Sequence, residues 1–264
     1  MKRNLLNTLI LAALAAPGLV MAEDAAPAAP ASPHTFSSNI GLVSNYVYRG
    51  ITQNVEKPAL QGGFDYSHAS GVYTGLWGSN VSWITASGSA GTASLELDTY
   101  AGYKGGFATD FSYDVGLIRY NYLGDYVPPA TYVKADTSEM YGAIGYKWVT
   151  AKYSYSLGDF LTVPEAKGTS YLEVNAGYTL ADAGVTLGAH YGKQTYKGTA
   201  TAVLVATGTD PSYADYKLSA TKDFSGYVVG LAYSNTNAKS GGYYTYNGKD
   251  WGKSAVAVSV THAM

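Results

Sequence analysis

The sequence predicts an all-β chain: a transmembrane antiparallel up-and-down β-barrel of about 12 strands, set behind a cleaved signal peptide. Three observations carry that expectation. Apolar residues recur at every second position from Phe36 to the end of the chain, so that one face of each run is greasy and the other bears charges, amides and glycine. The connections between these runs alternate long and short throughout, as they must if one end of an up-and-down sheet is closed by tight turns and the other carries loops. Tyrosine supplies 26 of the 264 residues and gathers near the ends of the greasy faces, where an amphipathic phenol suits the border between headgroup and hydrocarbon.

The elements follow in chain order. Lys2 and Arg3 precede an apolar run from Leu5 to Val20 that ends in Val20-Met21-Ala22. A charged start, an apolar middle and small residues before the cut make residues 1–22 a secretory signal. The run is shorter than the roughly 20 residues of a helical span. Residues 23–35, rich in alanine and proline, cannot pack and read as a periplasmic linker. The barrel then occupies 36–264, with strands expected at 36–49, 59–68, 72–81, 93–104, 109–122, 139–147, 149–157, 170–179, 184–192, 214–222, 227–234 and 254–264.

The lipid-facing parity of these strands carries two aromatic girdles. Tyr66, Tyr73, Tyr103, Phe111, Tyr113, Tyr146, Trp148, Tyr178 and Tyr227 fall near the short turns, and Tyr46, Tyr48, Tyr191, Tyr216 and Tyr233 near the long loops. Leu97, Val115, Leu117, Leu187, Leu218 and Val258 form the aliphatic band between them. Arg119 interrupts this parity, so it is expected either close to the loop-side headgroups or turned inward by a bulge. The last strand ends at Met264, where chains of this class usually present an aromatic residue to the outer-membrane assembly machinery.

The opposite parity carries Arg49, Asp65, Glu96, Asp98, Asp114, Glu139, Lys147, Lys152, Glu173, His190, Asp215 and Lys217, the candidate lumen-lining residues. This set is too charged for the dry pocket of a soluble lipocalin-like barrel, and a β-sandwich would place large aliphatic residues, not terminal tyrosines, on its inner face. Acids outnumber bases here, which leans the lumen toward cations. Arg49 has two readings: a charge at the channel mouth, or a partner for a lumen carboxylate beside a Gly50 that permits a turn. The connection 123–138, with paired prolines and tyrosines, reads as a stiffened loop that either lies over the rim or folds into the mouth, where Asp125, Lys134 or Asp136 would set the narrowest cross-section.

Other classes find little support. With 17 basic and 19 acidic side chains, a formal charge of −2 and no basic cluster, the chain has nothing to engage nucleic acid. It contains no cysteine, so structural disulfides and thiol chemistry are excluded. No second histidine lies at ligand spacing from His68 or His190, and neither a nucleophile elbow nor a phosphate loop occurs, so no metal, cofactor or enzymatic activity is expected.

The segment Ser44-Asn45-Tyr46-Val47-Tyr48-Arg49-Gly50-Ile51-Thr52-Gln53, followed by Lys57-Pro58-Ala59-Leu60-Gln61-Gly62-Gly63-Phe64-Asp65-Tyr66, resembles the TorF-type porins of Gram-negative outer membranes. Gly71 to Val81, Leu95 to Gly105 and Tyr113 to Leu117 extend the resemblance, which is dense over residues 36–122 and looser beyond. It implies an outer-membrane barrel of porin type, reached through the periplasm, and supplies no ligand or catalytic residues. The expected function is passive diffusion of small hydrophilic solutes or ions through a polar lumen, with outer-membrane lipid and the assembly machinery as partners. The alternative is a non-conducting barrel whose long loops act in adhesion or recognition.

Overall fold

The structure is a computed structural model describing residues 32–129, 132–246 and 248–264. The signal peptide at 1–22 and most of the linker at 23–35 lie outside the described residues. Twelve strands close into one antiparallel barrel. They are β1 His34–Val43, β2 Ala59–His68, β3 Val72–Asn80, β4 Leu95–Phe107, β5 Phe111–Leu123, β6 Thr137–Tyr146, β7 Val149–Ser156, β8 Ser170–Leu180, β9 Val185–Thr195, β10 Tyr213–Phe224, β11 Tyr227–Thr236 and β12 Ala255–Ala263. Each expected strand is present, and β1 begins two residues inside the expected linker.

Every strand pairs with its sequence neighbours, and β1 closes on β12 from Asn39↔Ala263 to Val43↔Ser259. Ser38 and Met264 extend this seam by exchanging backbone bonds of 2.9 and 2.8 Å. Closure leaves no strand edge unpaired, which hydrocarbon demands because it offers exposed amides no partner. The connections 69–71, 108–110, 147–148, 181–184 and 225–226 turn tightly at the end where β1 starts and β12 finishes. The longer connections 44–58, 81–94, 124–136, 157–169, 196–212 and 237–254 all lie at the other end.

The outer face is apolar. Leu117, Val174, Leu218, Leu231 and Val258 are exposed in mid-strand, with Tyr103, Tyr146, Trp148, Tyr178 and Tyr227 toward the turns and Tyr191, Tyr216 and Tyr233 toward the loops. This arrangement, wrapped around a charged interior, is that of a barrel spanning a bilayer. Arg119 does point outward. The β4–β5 register runs unbroken from Leu95↔Leu123 to Phe107↔Phe111, so no bulge redirects it. Its guanidinium donates to Ser138 Oγ and Asn121 Oδ1, both at 3.0 Å, and lies 3.6 Å from the Asp136 carboxylate. Paired near the loop-side end of β5, the charge avoids the midplane cost.

Three aromatic assignments are corrected. Tyr46 and Tyr48 are not on a lipid-facing strand, because β1 stops at Val43. Ser44 caps the end of the strand: its N–H donates to Val258 O and its Oγ accepts from Val258 N, both at 2.9 Å, after which the chain turns into the barrel. Tyr73 points inward, since Val72, Thr74 and Leu76 hold the lipid-facing parity of β3.

The inward tyrosines on this side share one device. Tyr73 lies opposite Gly102, Tyr100 opposite Gly75, and Tyr141 opposite Gly116 on adjacent strands. A Cβ on Gly116 would stand 2.6 Å from the Tyr141 hydroxyl, and one on Gly75 would stand 2.6 Å from the Tyr100 ring. Each ring therefore lies across the space its glycine leaves, along the wall. The hydroxyls reach inward-facing acids, Tyr73 donating to Asp114 at 2.6 Å and Tyr100 to Asp65 at 2.5 Å.

Candidate functional site, a hairpin across the lumen

The candidate site is built by the first long connection. Val47 pairs with Thr52 and Tyr48 with Ile51, a two-residue ladder on each side of an Arg49-Gly50 turn. Both turn residues have positive φ, 45° at Arg49 and 78° at Gly50, as a tight primed hairpin turn requires. The hairpin is held at its base, where Gln53 N–H donates to Tyr46 O at 2.7 Å and Asn54 Nδ2 to Asn80 O at 2.9 Å. Thr52 Oγ1 donates to Asn45 Oδ1 at 2.6 Å across the stem.

From its root between β1 and β2 the hairpin reaches the far wall. The Tyr46 hydroxyl donates to Glu96 on β4 at 3.1 Å, and the Tyr48 hydroxyl to that of Tyr120 on β5 at 3.0 Å. Arg49 then forks onto Glu139 of β6, with bonds of 3.2 and 2.8 Å, and gives a third bond of 3.0 Å to Gln194 on β9. Its guanidinium carbon stands 4.4 Å above the Tyr171 ring and 4.9 Å from that of Tyr48. The Arg49 carbonyl accepts from the Tyr213 hydroxyl at 2.8 Å. Gly50 fits against β10 and β11, where a Cβ would fall 2.5 Å from Thr236 Cγ2 and 2.6 Å from Asp215 Cβ. The hairpin thus touches strands around most of the barrel and divides the lumen into an outer and an inner part.

Below it lies a small polar cavity of about 50 Å³, bordered by Arg49, Lys152, Glu173, His190, Asp215 and Lys217. His190 Nδ1 is 2.7 Å from Asn175 Oδ1, and Nε2 is 3.0 Å from Asp215 Oδ1. Tyr171 donates to the other Asp215 oxygen at 2.7 Å. The bonded partners of His190 are the Asn175 amide, the Tyr171 phenol and the Asp215 carboxylate, which together form a hydrogen-bonded network in the lumen. Above the hairpin the long loops enclose a vestibule of about 360 Å³ floored by Tyr48, Ile51 and Thr52. Burial pushes the Tyr243 and Tyr244 phenols of its wall well above their ordinary range, which keeps them neutral.

The structure brings Arg49, Glu139, Lys152, Glu173, His190, Asp215 and Lys217 together at and beneath the hairpin. Glu96 and Asp98 are buried on the neighbouring wall beside Tyr46, and Asp65 and Asp114 face the lumen with Tyr100 and Tyr73. Lys147 does not line the lumen. It occupies the tight turn between β6 and β7 with a φ of 51°, half exposed, 3.9 Å from Asp110. Parity fails there because a turn residue belongs to neither face.

The expected constriction is corrected as well. Asp125 and Lys134 are exposed, the Lys134 ammonium resting 5.2 Å from the Tyr126 ring, and Asp136 pairs with Arg119. The loop 124–136 is held at the rim by the short pairing of Ala90–Gly91 with Tyr126–Val127 and by Ala135 N–H donating to the Tyr126 hydroxyl at 2.7 Å. Sequence reasoning missed Tyr46, Tyr48, Tyr171, Gln194 and Tyr213. The signal for the hairpin was present in Val47-Tyr48 and Ile51-Thr52 flanking a two-residue turn that ends in glycine.

A family model described as "Bacterial protein of unknown function (Gcw_chp)" matches residues 27–264. No curated protein sequence matches the chain. Among solved structures, an outer membrane channel from Pseudomonas putida F1 aligns at 11% identity with a TM-score of 0.48, over 91% of this chain and 99% of that one. The NanC porin aligns at 8% identity and a TM-score of 0.48, over 87% and 98% respectively. OprD of Pseudomonas aeruginosa aligns at 14% identity and a TM-score of 0.37, over 89% of this chain and 68% of that one.

Proposed function

For this chain, which belongs to the Gcw_chp family, we propose an outer-membrane channel for small hydrophilic solutes or ions in which the 44–56 hairpin is the constriction. The likeness of its hairpin segment to TorF-type porins is consistent with this reading. The observation that carries it is the position of Arg49, which crosses the lumen to Glu139 and Gln194 between an open vestibule and a polar inner cavity. A charged and hydroxyl-rich interior surrounds water at little cost, whereas a lipid-filled or dry interior would leave these groups unsolvated.

With Arg49 neutralised by Glu139, and Glu96 and Asp98 buried in the wall beside Tyr46, the inward charges Asp65, Asp114, Glu173 and Asp215 stand against Lys104, Lys152 and Lys217. This balance favours cations. Conductance of the purified protein in planar bilayers tests the reading, with a salt gradient to report selectivity. Discrete channel steps with a cation-leaning reversal potential are expected. Absence of current from folded wild type and from folded Arg49→Ala alike would refute it and leave recognition by the long loops.

A further inference from the structure

We propose that the outer vestibule is a binding site for neutral saccharides of one or two rings, which it holds directly above the hairpin. The inference deepens the channel reading and rests on it for its use, since it names the solute class offered to the constriction.

The first observation is chemical. Every described residue bordering the vestibule is uncharged, in sharp contrast to the lumen just beneath. Its walls are dominated by aromatic rings, interspersed with hydroxyls and with the amides of Gln53 and Gln194. Aromatic faces receive the C–H faces of a pyranose, while hydroxyl and amide groups exchange hydrogen bonds with its edge. No charged side chain is present there to pair with an ionic solute.

The second observation is that the rings are fixed before any ligand arrives. Phe160, Tyr196, Tyr243, Tyr244 and Tyr213 form a continuous chain of edge-to-face contacts with centroids 5.2, 6.1, 5.0 and 5.0 Å apart in that order. The chain ties the loops 157–169, 196–212 and 237–254 to β10. Tyr244 is held further by donating to Pro211 O at 2.8 Å. A preorganised wall does not have to be ordered on binding, which lowers the entropic cost. The volume of about 360 Å³ lies in the range of small-molecule sites, about 300–1,000 Å³.

The third observation is continuity. The floor is Tyr48, Ile51 and Thr52 of the hairpin itself, so a bound molecule sits on the channel axis. The lumen beyond displays Ser219, Thr221, Ser259 and Thr261 on its inward parity, a hydroxyl-lined route suited to a sugar and poorly suited to an apolar aromatic compound.

The test uses the full folded chain in detergent micelles, titrated with maltose and followed by calorimetry and tryptophan fluorescence. Gluconate, glucosamine and benzyl alcohol serve as the anionic, cationic and apolar comparators. Saturable maltose binding, stronger than that of either charged comparator, is expected. Tyr246→Ala, at an exposed edge of the vestibule, should weaken it about fivefold, the worth of one aromatic contact. Trp251→Phe, which keeps an apolar face and shortens the ring, should weaken it by a similar factor without loss of heat-modifiable folding. No saturable maltose binding, binding unchanged in both folded variants, or preference for benzyl alcohol would overturn the inference. Binding in micelles does not depend on conduction. Binding without bilayer current would refute the channel and keep the site, and current without maltose binding would refute the site alone.

Discussion

Replacing Arg49 by alanine removes the side chain that ties the hairpin tip to Glu139 and Gln194 on the opposite wall. In the wild type the Glu139 side chain is fully buried and the Arg49 side chain 7% exposed, so the pair is shielded from solvent. Without the guanidinium, Glu139 keeps the Tyr120 hydroxyl at 3.2 Å as its remaining bonded partner. Stranding one member of a buried pair costs about 3–5 kcal/mol. The barrel wall itself is fixed by its ladders, so the penalty is relieved by moving the hairpin and admitting water. The cost therefore falls on the closed position of the hairpin. Taking the lower bound of about 3 kcal/mol, and about 1.4 kcal/mol per factor of ten, the open-to-closed ratio should rise more than about a hundredfold. Single-channel recordings should show Arg49→Ala with larger unitary conductance or longer open dwells than the wild type, while electrophoretic heat-modifiability remains. Arg49→Lys should fall between them, because a point charge cannot make the forked contact. A folded Arg49→Ala protein with wild-type conductance and dwell times would show that the hairpin does not limit the path.

The remaining predictions concern the same architecture. Gly50→Ala should shift the channel in the same direction as Arg49→Ala, because an L side chain at a φ of 78° is strained by about 1 kcal/mol before its collision with Thr236 and Asp215 is added; unchanged currents would refute the tight seating of the turn. Leu218→Arg should impair refolding into lipid by about 2–4 kcal/mol, whereas Ser219→Arg, on the inward face, should fold and alter conductance. Equal tolerance at the two positions would refute the parity. Single cysteines at Gly208 and Ser240 should label on intact cells while one at Ala69 does not, since the long loops and the short turns lie at opposite ends; the reverse pattern would invert the barrel.

The wall of the barrel was readable because lipid on one side and water on the other impose a period of two that few other environments impose. The interior was harder to read. Alternation continues from β1 through Tyr46 and Tyr48, and a hairpin ladder alternates just as a strand does, so the same pattern served two different structures. What separates them is the capping of the strand end by Ser44 and the two left-handed residues Arg49 and Gly50, and both depend on contacts distant in sequence. Tyr73 was misplaced for a different reason: a phenol suits a membrane interface and a polar lumen equally, so residue type could not decide its face. Lys147 shows the converse limit, a charge assigned by counting where a turn had already ended the count. The lumen acids were identified by type and parity, but which acid Arg49 would meet depended on how far its hairpin reaches across the barrel.

The tyrosines lying over glycines on neighbouring strands bear on how the barrel assembles. A closed sheet tolerates no running error: a slip of two residues between any two strands keeps every side chain on its proper face, yet it must be absorbed at the seam where β1 meets β12. Hydrophobic patterning is blind to such a slip. The matched pairs Tyr73 with Gly102, Tyr100 with Gly75 and Tyr141 with Gly116 are sensitive to it, because two residues away each ring would lose the opening it occupies. They index β3 against β4 and β5 against β6 like teeth in a rack, and so remove two of the places where a slip carried to the closing seam could begin.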